Sequence, residues 1–218
     1  MAALAGRAAY DVWADTYPAA AHNPLMRVEQ EVVEPLLAQL QATRALDVGT
    51  GSGRYGSVLR SIGAASVVGV DFSLAMLARG GGRRVCADAR RLPFRRGEFD
   101  LINASLMAGD VEDLDPWVRE MSRALAAGGH LVYSDFHPSW AQNGWRRTFR
   151  TAAGEQHDVS FHPHTIDDHL HALGNAGLRI CAIREPRFRD DADPDVSAFR
   201  RRWGNPRVVV VLHAVKTP

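Results

Sequence analysis

The chain has 218 residues, 46% hydrophobic and 23% charged, with a formal net charge of +1 at pH 7. That length and composition suit one globular domain with a sizeable core. The near-zero charge argues against a general nucleic-acid binder, which carries a strong basic excess, and no apolar run reaches the roughly 18 residues of a membrane span. The two cysteines, Cys86 and Cys181, stand in apolar strand-like contexts and read as buried thiols of a reducing cytoplasm. The start, MAALAGRAAYDVW, lacks the apolar core of a secretory signal. The expected location is cytoplasmic, with no membrane and no nucleic acid as partner. Every basic residue except Lys216 is an arginine, which fits a compositional bias of the gene or bidentate recognition of an acidic ligand.

In chain order, AAYDVWADTY places apolar or aromatic residues at helical spacing, at Tyr10, Trp13, Ala14 and Tyr17. HNPLM interrupts it at Pro24, and PLMRVEQEVVEPLLAQL resumes the helical period with a bend expected at Pro35. From Ala45 the pattern alternates. RALDVGT is a strand, GRYGSVLRSIG a helix ending at Gly63, SVVGVDF a strand, and SLAMLARGG a short helix capped by Ser73. RRVCADA and FDLINASLM are the third and fourth strands. DPWVREMSRALAAGG is a helix running to Gly128-Gly129, and HLVYSDF is the fifth strand. TIDDHLHALGNAGL is a helix with Thr165 as N-cap and Asp167 and Asp168 in its first turn. RICAIREP and RVVVVLHAVK close the chain as strands. DDADPDVSAFRRRWGNP between them, polar and with two prolines, reads as loop with a short turn of helix. Strands alternating with helices imply a mostly parallel sheet covered on both faces, whose last two strands can pair antiparallel.

The stretch ALDVGTGSGRYG puts an acid inside an apolar strand and follows it with four glycines. In an open parallel sheet the ligand sits beyond the carboxyl ends of the strands, where strand order reverses. Gly49, Gly51 and Gly53 let backbone approach a ligand without a Cβ, and the next helix offers free N–H groups at its start. Gly51, Gly53 and Gly56 also satisfy G-x-G-x-x-G, by itself compatible with a dinucleotide. Asp71, 22 residues after Gly49, ends the second strand where a carboxylate can accept from both hydroxyls of a ribose. Asp47 either braces the loop or faces a cationic ligand; it suits an ammonium and a sulfonium and would repel a pyrophosphate.

ALDVGTGSG, VVGVDFS, CADARRLPFRRGEFDLINASL and MSRALAAGGHLVYSDF, in that order, resemble the successive motifs of class I S-adenosylmethionine-dependent methyltransferases over roughly residues 46–136. The nearest likeness is to the small-molecule branch that includes ubiquinone-, menaquinone- and biotin-pathway methyltransferases. The resemblance implies a Rossmann-like α/β fold with a seven-stranded, mostly parallel sheet, an antiparallel last strand, and helices on both faces. It implies S-adenosyl-L-methionine as cofactor. Gly49, Thr50, Gly51 and Gly53 would line its methionine part, with Asp47 near it. Asp71 would hold the ribose hydroxyls, Phe72 and Met76 would pack near the adenine, and Asp88 with Ala89 would meet its amino group. Asn103 and Ala104 would approach the sulfonium. Tyr10, Trp13 and Tyr17 resemble an aromatic N-terminal segment that closes over the cofactor, and can equally be a helix face packed on the core. Many relatives carry two adjacent histidines shortly after the fourth strand; here that stretch is LMAGDVEDL, with Gly109 and Asp110, so no role of that pair carries over.

After the fifth strand, HPSWAQNGWRRTFRTAAGEQHDVSFHPH exceeds a plain connection. WRRTFRT and HDVSFHPH flank the turn-like AAGE and predict an added hairpin, on the edge where a substrate pocket is built. The segment holds four of the nine histidines, His137, His157, His162 and His164. His137, directly after the strand, should face the crevice as a catalytic base, or be a hydrogen-bonded structural residue beside Pro138. His162 and His164 share a strand face with no spacing that marks a full metal site, so no metal is expected. Arg146, Arg147 and Arg150 are hairpin charges, or one of them, Arg147 foremost, clamps a substrate carboxylate or phosphate. Trp140, Trp145 and Phe149 offer flat apolar walls, and Trp145, Arg147, Phe149 and His162 are the expected substrate contacts.

The expectation is one domain over 1–218, with a helical cap (1–42), a cofactor core (43–136), a substrate-side insertion (137–164) and a closing helix and strands (165–218). It would methylate a small-molecule metabolite, as monomer or homodimer. Oxygen of a ring-containing or carboxylate-bearing secondary metabolite is favoured as acceptor, with nitrogen or carbon next. The rivals are an NAD-dependent oxidoreductase on a similar fold, disfavoured by Asp47 and by the lack of a Tyr-x-x-x-Lys, and a non-catalytic cofactor-binding protein.

Overall fold

The computed structural model describes residues 6–189 and 193–218. Helix α1 (Gly6–Trp13) continues into a 3₁₀ turn (Ala14–Thr16), and α2 (Pro24–Leu37) follows. The Asn23 side chain accepts the Met26 N–H at 2.9 Å and Pro24 occupies the first helical position, a pairing suited to a helix start. Pro35 lies inside α2, which runs on to Leu37.

The sheet is then laid down in order. β1 (Arg44–Val48), α3 (Arg54–Ser61), β2 (Ser66–Asp71), α4 (Leu74–Ala78), β3 (Arg83–Cys86) and β4 (Phe99–Ala104) come first. A 3₁₀ turn (Ala108–Asp110), α5 (Leu114–Ala124), β5 (Leu125–Phe136) and the short α6 (Ser139–Gln142) follow. A separate hairpin, β6 (Arg147–Arg150) and β7 (Gln156–Val159), precedes α7 (Ile166–Asn175), β8 (Leu178–Arg184), α8 (Pro194–Trp203) and β9 (Val209–Lys216). The seven-stranded sheet has the order β3-β2-β1-β4-β5-β9-β8. β9 is antiparallel to both neighbours and the other pairs are parallel. Strand order reverses between β1 and β4, which places a ligand crevice beyond their carboxyl ends.

Both faces of the central strands are covered, so they read as continuous apolar runs. Leu46, Val48, Ile102 and Leu131 point to the layer that holds Trp117, Met121 and Leu173 of α5 and α7. Ala45, Leu101, Val132 and Val211 point to the layer of α2 and α3, with Val33, Leu37 and Leu59. Each such fully buried side chain stabilises the fold by about 1.5–3 kcal/mol relative to exposure. The alternation puts Asp47 on the α2–α3 side, and it too is buried.

Three local expectations are corrected. The helix expected to reach Gly128-Gly129 stops at Ala124, and Leu125 already pairs with Phe99 as part of β5. Lys216 Nζ donates to the carbonyls of Ser122 and Leu125 at 2.6 and 2.7 Å, which satisfies free acceptors at that helix end. The segment read as mostly loop with a short turn of helix contains the ten-residue α8. Asp193 caps it, Pro194 starts it, and Val196, Phe199 and Trp203 form a stripe that packs on Phe188 and Trp140. Proline at the first helical position is a starter, not a breaker. Both cysteines are exposed and unpaired, because β3 and β8 are the two edges of the sheet.

The hairpin forms as the turn residues predict, with Arg147 opposite Val159 and Arg150 opposite Gln156. Its Phe149 and Val159 bury Ala9 of α1 and receive Trp13, so α1 and the hairpin form one cover. No helix among the described residues is long and apolar enough to cross a membrane.

Candidate active site

The β1–α3 turn is braced from below. Asp47 accepts from Thr50 Oγ1 at 2.6 Å and Asn103 Nδ2 at 2.9 Å, and burial pushes its carboxyl up despite both bonds. The Thr50 N–H donates to the Val70 carbonyl at 2.9 Å, tying the turn to β2. Two glycines are required here. Gly49 has φ +67°, and a Cβ on it would lie 2.7 Å from Met107 Cγ. Gly51 has φ +53° and nothing within 4 Å of its Cβ position, so its backbone borders open space. The Gly51 N–H donates to Asp71 Oδ2 and the Ser73 N–H to Asp71 Oδ1, both at 2.9 Å. Each Asp71 oxygen keeps a free lone pair after those bonds. Burial pushes the Asp71 carboxyl up, and the two N–H donors oppose that shift.

Beyond these groups opens a cavity of about 300 Å³. Of the residues singled out in the sequence, Tyr10, Tyr17, Gly49, Gly51, Asp71, Phe72, Met76, Asp88, Ala89 and His162 line it. Phe72, Met76, Ala87 and Ala89 make an apolar section beside Asp88, whose carboxylate pairs with Arg90 at 2.6 Å. A carboxylate with spare acceptors, bare backbone at Gly51 and an apolar section with an acid at its rim fit the ribose, the amino-acid end and the adenine of S-adenosylmethionine.

Other expected residues stand behind the wall. Thr50, Asn103 and Ala104 are buried in support of the turn, and Gly53 lies under Arg84, which donates to the Ser52 carbonyl. Trp13 stacks on Phe149 at 4.9 Å and on Tyr10 at 6.0 Å, and so holds the cover together. Trp145 packs on Phe136, Trp140 and Phe161. His137 does not face the cavity. Its Nδ1 is 2.8 Å from Ser139 Oγ and its Nε2 2.9 Å from Glu185 Oε1, because β5 ends beside the chain that leads into β9 and its N–H bonds to Val208 there. Arg147 does not reach the cavity either: its guanidinium pairs with Asp110 and donates to the Ser160 carbonyl at 3.0 Å. Arg146 pairs with Asp158, and Arg150 donates to Gly154 O and Gln156 Oε1. Among the described residues no group of three or more His, Cys, Asp or Glu is placed to hold a metal.

The cavity wall also contains Arg54, Ser105, Leu106, Met107 and Glu112, which motif reading missed, and Asp110, to which the sequence assigned no role. Arg54 is held by Glu29 at 2.8 Å, and that fully buried carboxylate also accepts from Tyr55 and Ser134, each at 2.8 Å. A glutamate on the inward stripe of α2 was the available signal for it. Leu106 has φ +54°, the one non-glycine residue with positive φ among those described. Such backbone is costly for a branched side chain, and the Ser134 hydroxyl holds it by accepting the Leu106 N–H at 2.8 Å. Asp110 receives the Tyr10 hydroxyl at 2.6 Å on Oδ2 as well as the guanidinium of Arg147. Deeper still, burial and the neighbouring Asp110 push Asp135 up to about 7.

Residues 46–133 match the model of a family described as "Methyltransferase domain". The demethylmenaquinone methyltransferase of Mycolicibacterium gilvum is 41% identical over 98 residues, 44% of this chain and 42% of that one. The malonyl-[acyl-carrier protein] O-methyltransferase of Halorhodospira halophila is 31% identical over 176 residues, 70% of this chain and 57% of that one. The chain thus spans about half the length of the curated relatives it matches. The crystal structure of an S-adenosylmethionine-dependent methyltransferase from Mesorhizobium loti superposes with a TM-score of 0.67 at 26% identity, over 84% of this chain and 96% of that one.

Proposed function

We propose that this chain, whose core is a class I S-adenosylmethionine-dependent methyltransferase domain, transfers a methyl group to an oxygen of a ring-containing small molecule. The cofactor supplies a methyl carbon bonded to a cationic sulfur. The protein supplies position and exclusion of water, which account for much of the acceleration in an in-line displacement. Asp71 accepts from the ribose hydroxyls, the backbone at Gly51 receives the amino-acid end, and Phe72, Met76 and Ala89 flank the adenine with Asp88 at its edge. Tyr10 and Tyr17 close the bay from above. His162, the histidine among the residues that line the cavity, takes the acceptor's proton; His137, with both ring nitrogens engaged, does not.

The observation that carries this reading is the continuity of the cavity. One space joins Asp71 and Gly51 to Tyr10, Asp110 and His162, which supports a donor and a flat acceptor sharing one aromatic cover. A quinone-type ring is the second reading, supported by relatives named demethylmenaquinone methyltransferases. Purified protein incubated with methyl-labelled S-adenosylmethionine and a panel of phenols, hydroxyquinones and small carboxylic acids should move label to a ring hydroxyl or a quinone ring. Label appearing only on carboxylates, or binding of NAD in place of S-adenosylhomocysteine, would refute it.

A further inference from the structure

We propose that Asp110 sets the charge of the acceptor: by cancelling Arg147 it leaves a bay that takes neutral molecules offering an O–H or N–H and turns away carboxylates and phosphates. This rests on the methyltransferase reading above and narrows its substrate class. The hairpin arginine is the residue type and place expected of an anion clamp, but its two terminal nitrogens are turned onto groups of the protein itself. Both terminal nitrogens reach Asp110, one also reaches the Ser160 carbonyl at 3.0 Å, and the Nε is buried without a hydrogen-bond partner. The rings of Tyr10 and Phe136 lie 5.8 and 6.0 Å from the guanidinium carbon. The side chains of Arg147 and Asp110 are 6% and 11% exposed, so solvent does little to loosen the pair.

The two guanidinium groups that do line the cavity are paired as well, Arg54 with Glu29 at 2.8 Å and Arg90 with Asp88 at 2.6 Å. An anionic acceptor therefore meets no guanidinium on the cavity wall without a carboxylate partner, only the donor's own sulfonium. A carboxylate can accept about four hydrogen bonds. Asp110 uses part of that capacity on Tyr10 and Arg147 and lines the cavity with the rest. Gly109 makes this arrangement possible: a Cβ there would stand 3.1 Å from Asp135 Oδ1, and its carbonyl accepts the His162 N–H at 2.8 Å.

The test is calorimetric titration of protein saturated with S-adenosylhomocysteine, using benzoate and benzyl alcohol as probes. Asp110→Asn should bind benzoate at least about tenfold more tightly than wild type, a change of about 1.4 kcal/mol, while benzyl alcohol, which loses a carboxylate acceptor, binds no more tightly. A merely structural role would weaken both probes. The double variant Asp110→Asn/Arg147→Met should lose the gain and bind benzoate as wild type does. Benzoate binding the wild type as tightly as Asp110→Asn, or a gain that survives removal of Arg147, overturns the proposal. Should the single variant not fold, the double variant decides: loss of benzoate affinity on removing the pair would make Arg147 a clamp after all. Failure of wild type to bind S-adenosylhomocysteine would strike the methyltransferase reading itself, and is visible before either probe is added.

Discussion

The two walls of the bay differ in how far apart along the chain their parts lie. The first is built from the turns that follow β1, β2 and β3, and its main link, Gly51 to Asp71, spans 20 residues. The second is assembled from α1, the turn after β4 and the hairpin. Its links, Tyr10 to Asp110 and Arg147 to Asp110, span 100 and 37 residues. Consecutive parallel strands deliver the first wall automatically, because each strand end arrives at the same edge of the sheet. The second depends on packing between segments that do not know of each other locally, and there a guanidinium is sealed in with its carboxylate, Arg147 with Asp110.

That contrast can be broken most sharply at Arg147. Arg147→Met leaves Asp110 buried without its cation and should cost about 3–5 kcal/mol of stability, measured by urea unfolding; a loss below about 1 kcal/mol would mean the pair is solvated. A pH effect of similar size comes from Asp135. Its folded pKa, about 7, lies above the unfolded value, so the folded protein holds the proton more tightly. The stabilisation is complete below about pH 4 and is lost as pH rises to about 7, up to about 4 kcal/mol in all. Asp135→Asn should flatten the slope of stability between those pH values and unfold later than wild type at pH 8. An unchanged slope would place the titration elsewhere.

Smaller effects sharpen the boundary between the walls. Trp13→Ala removes the plate between Tyr10 and Phe149 and should weaken acceptor binding by about 0.5–1.5 kcal/mol, read as a KM increase with little change in kcat. His137→Ala should lose about 1 kcal/mol of stability with its hydrogen bonds and leave the transfer rate within about twofold. A loss of 100-fold or more, the scale of a missing general base, would return that role to His137.

The first wall was legible in the sequence for a physical reason. ALDVGTGSG and VVGVDFS each carry the whole of a local turn, so strand, glycine and acid can be read together, and Asp71, Gly51, Asp88 and Ala89 all stand on the cavity. Position after a strand was a poor guide beyond β5. His137 follows its strand directly, yet the antiparallel neighbour β9 draws the ring towards Glu185. Arg147 showed its residue type but not its partner, because nothing within the hairpin announces Asp110. The stripe Val196, Phe199, Trp203 was visible as well, and two prolines obscured it; Pro194 starts α8. Lys216, the single lysine, gave no local sign that it would end α5 from the far side of the sheet.

The central claim is that a sulfonium donor occupies the bay with Asp71 holding its ribose. Titration of wild type and Asp71→Ala with S-adenosylhomocysteine tests it most directly. Saturable binding by the wild type, weakened by about 1.5–3 kcal/mol in the variant as for hydrogen bonds to a charged group, is the predicted result. Equal affinity in the two proteins, or no binding by the wild type, would contradict it.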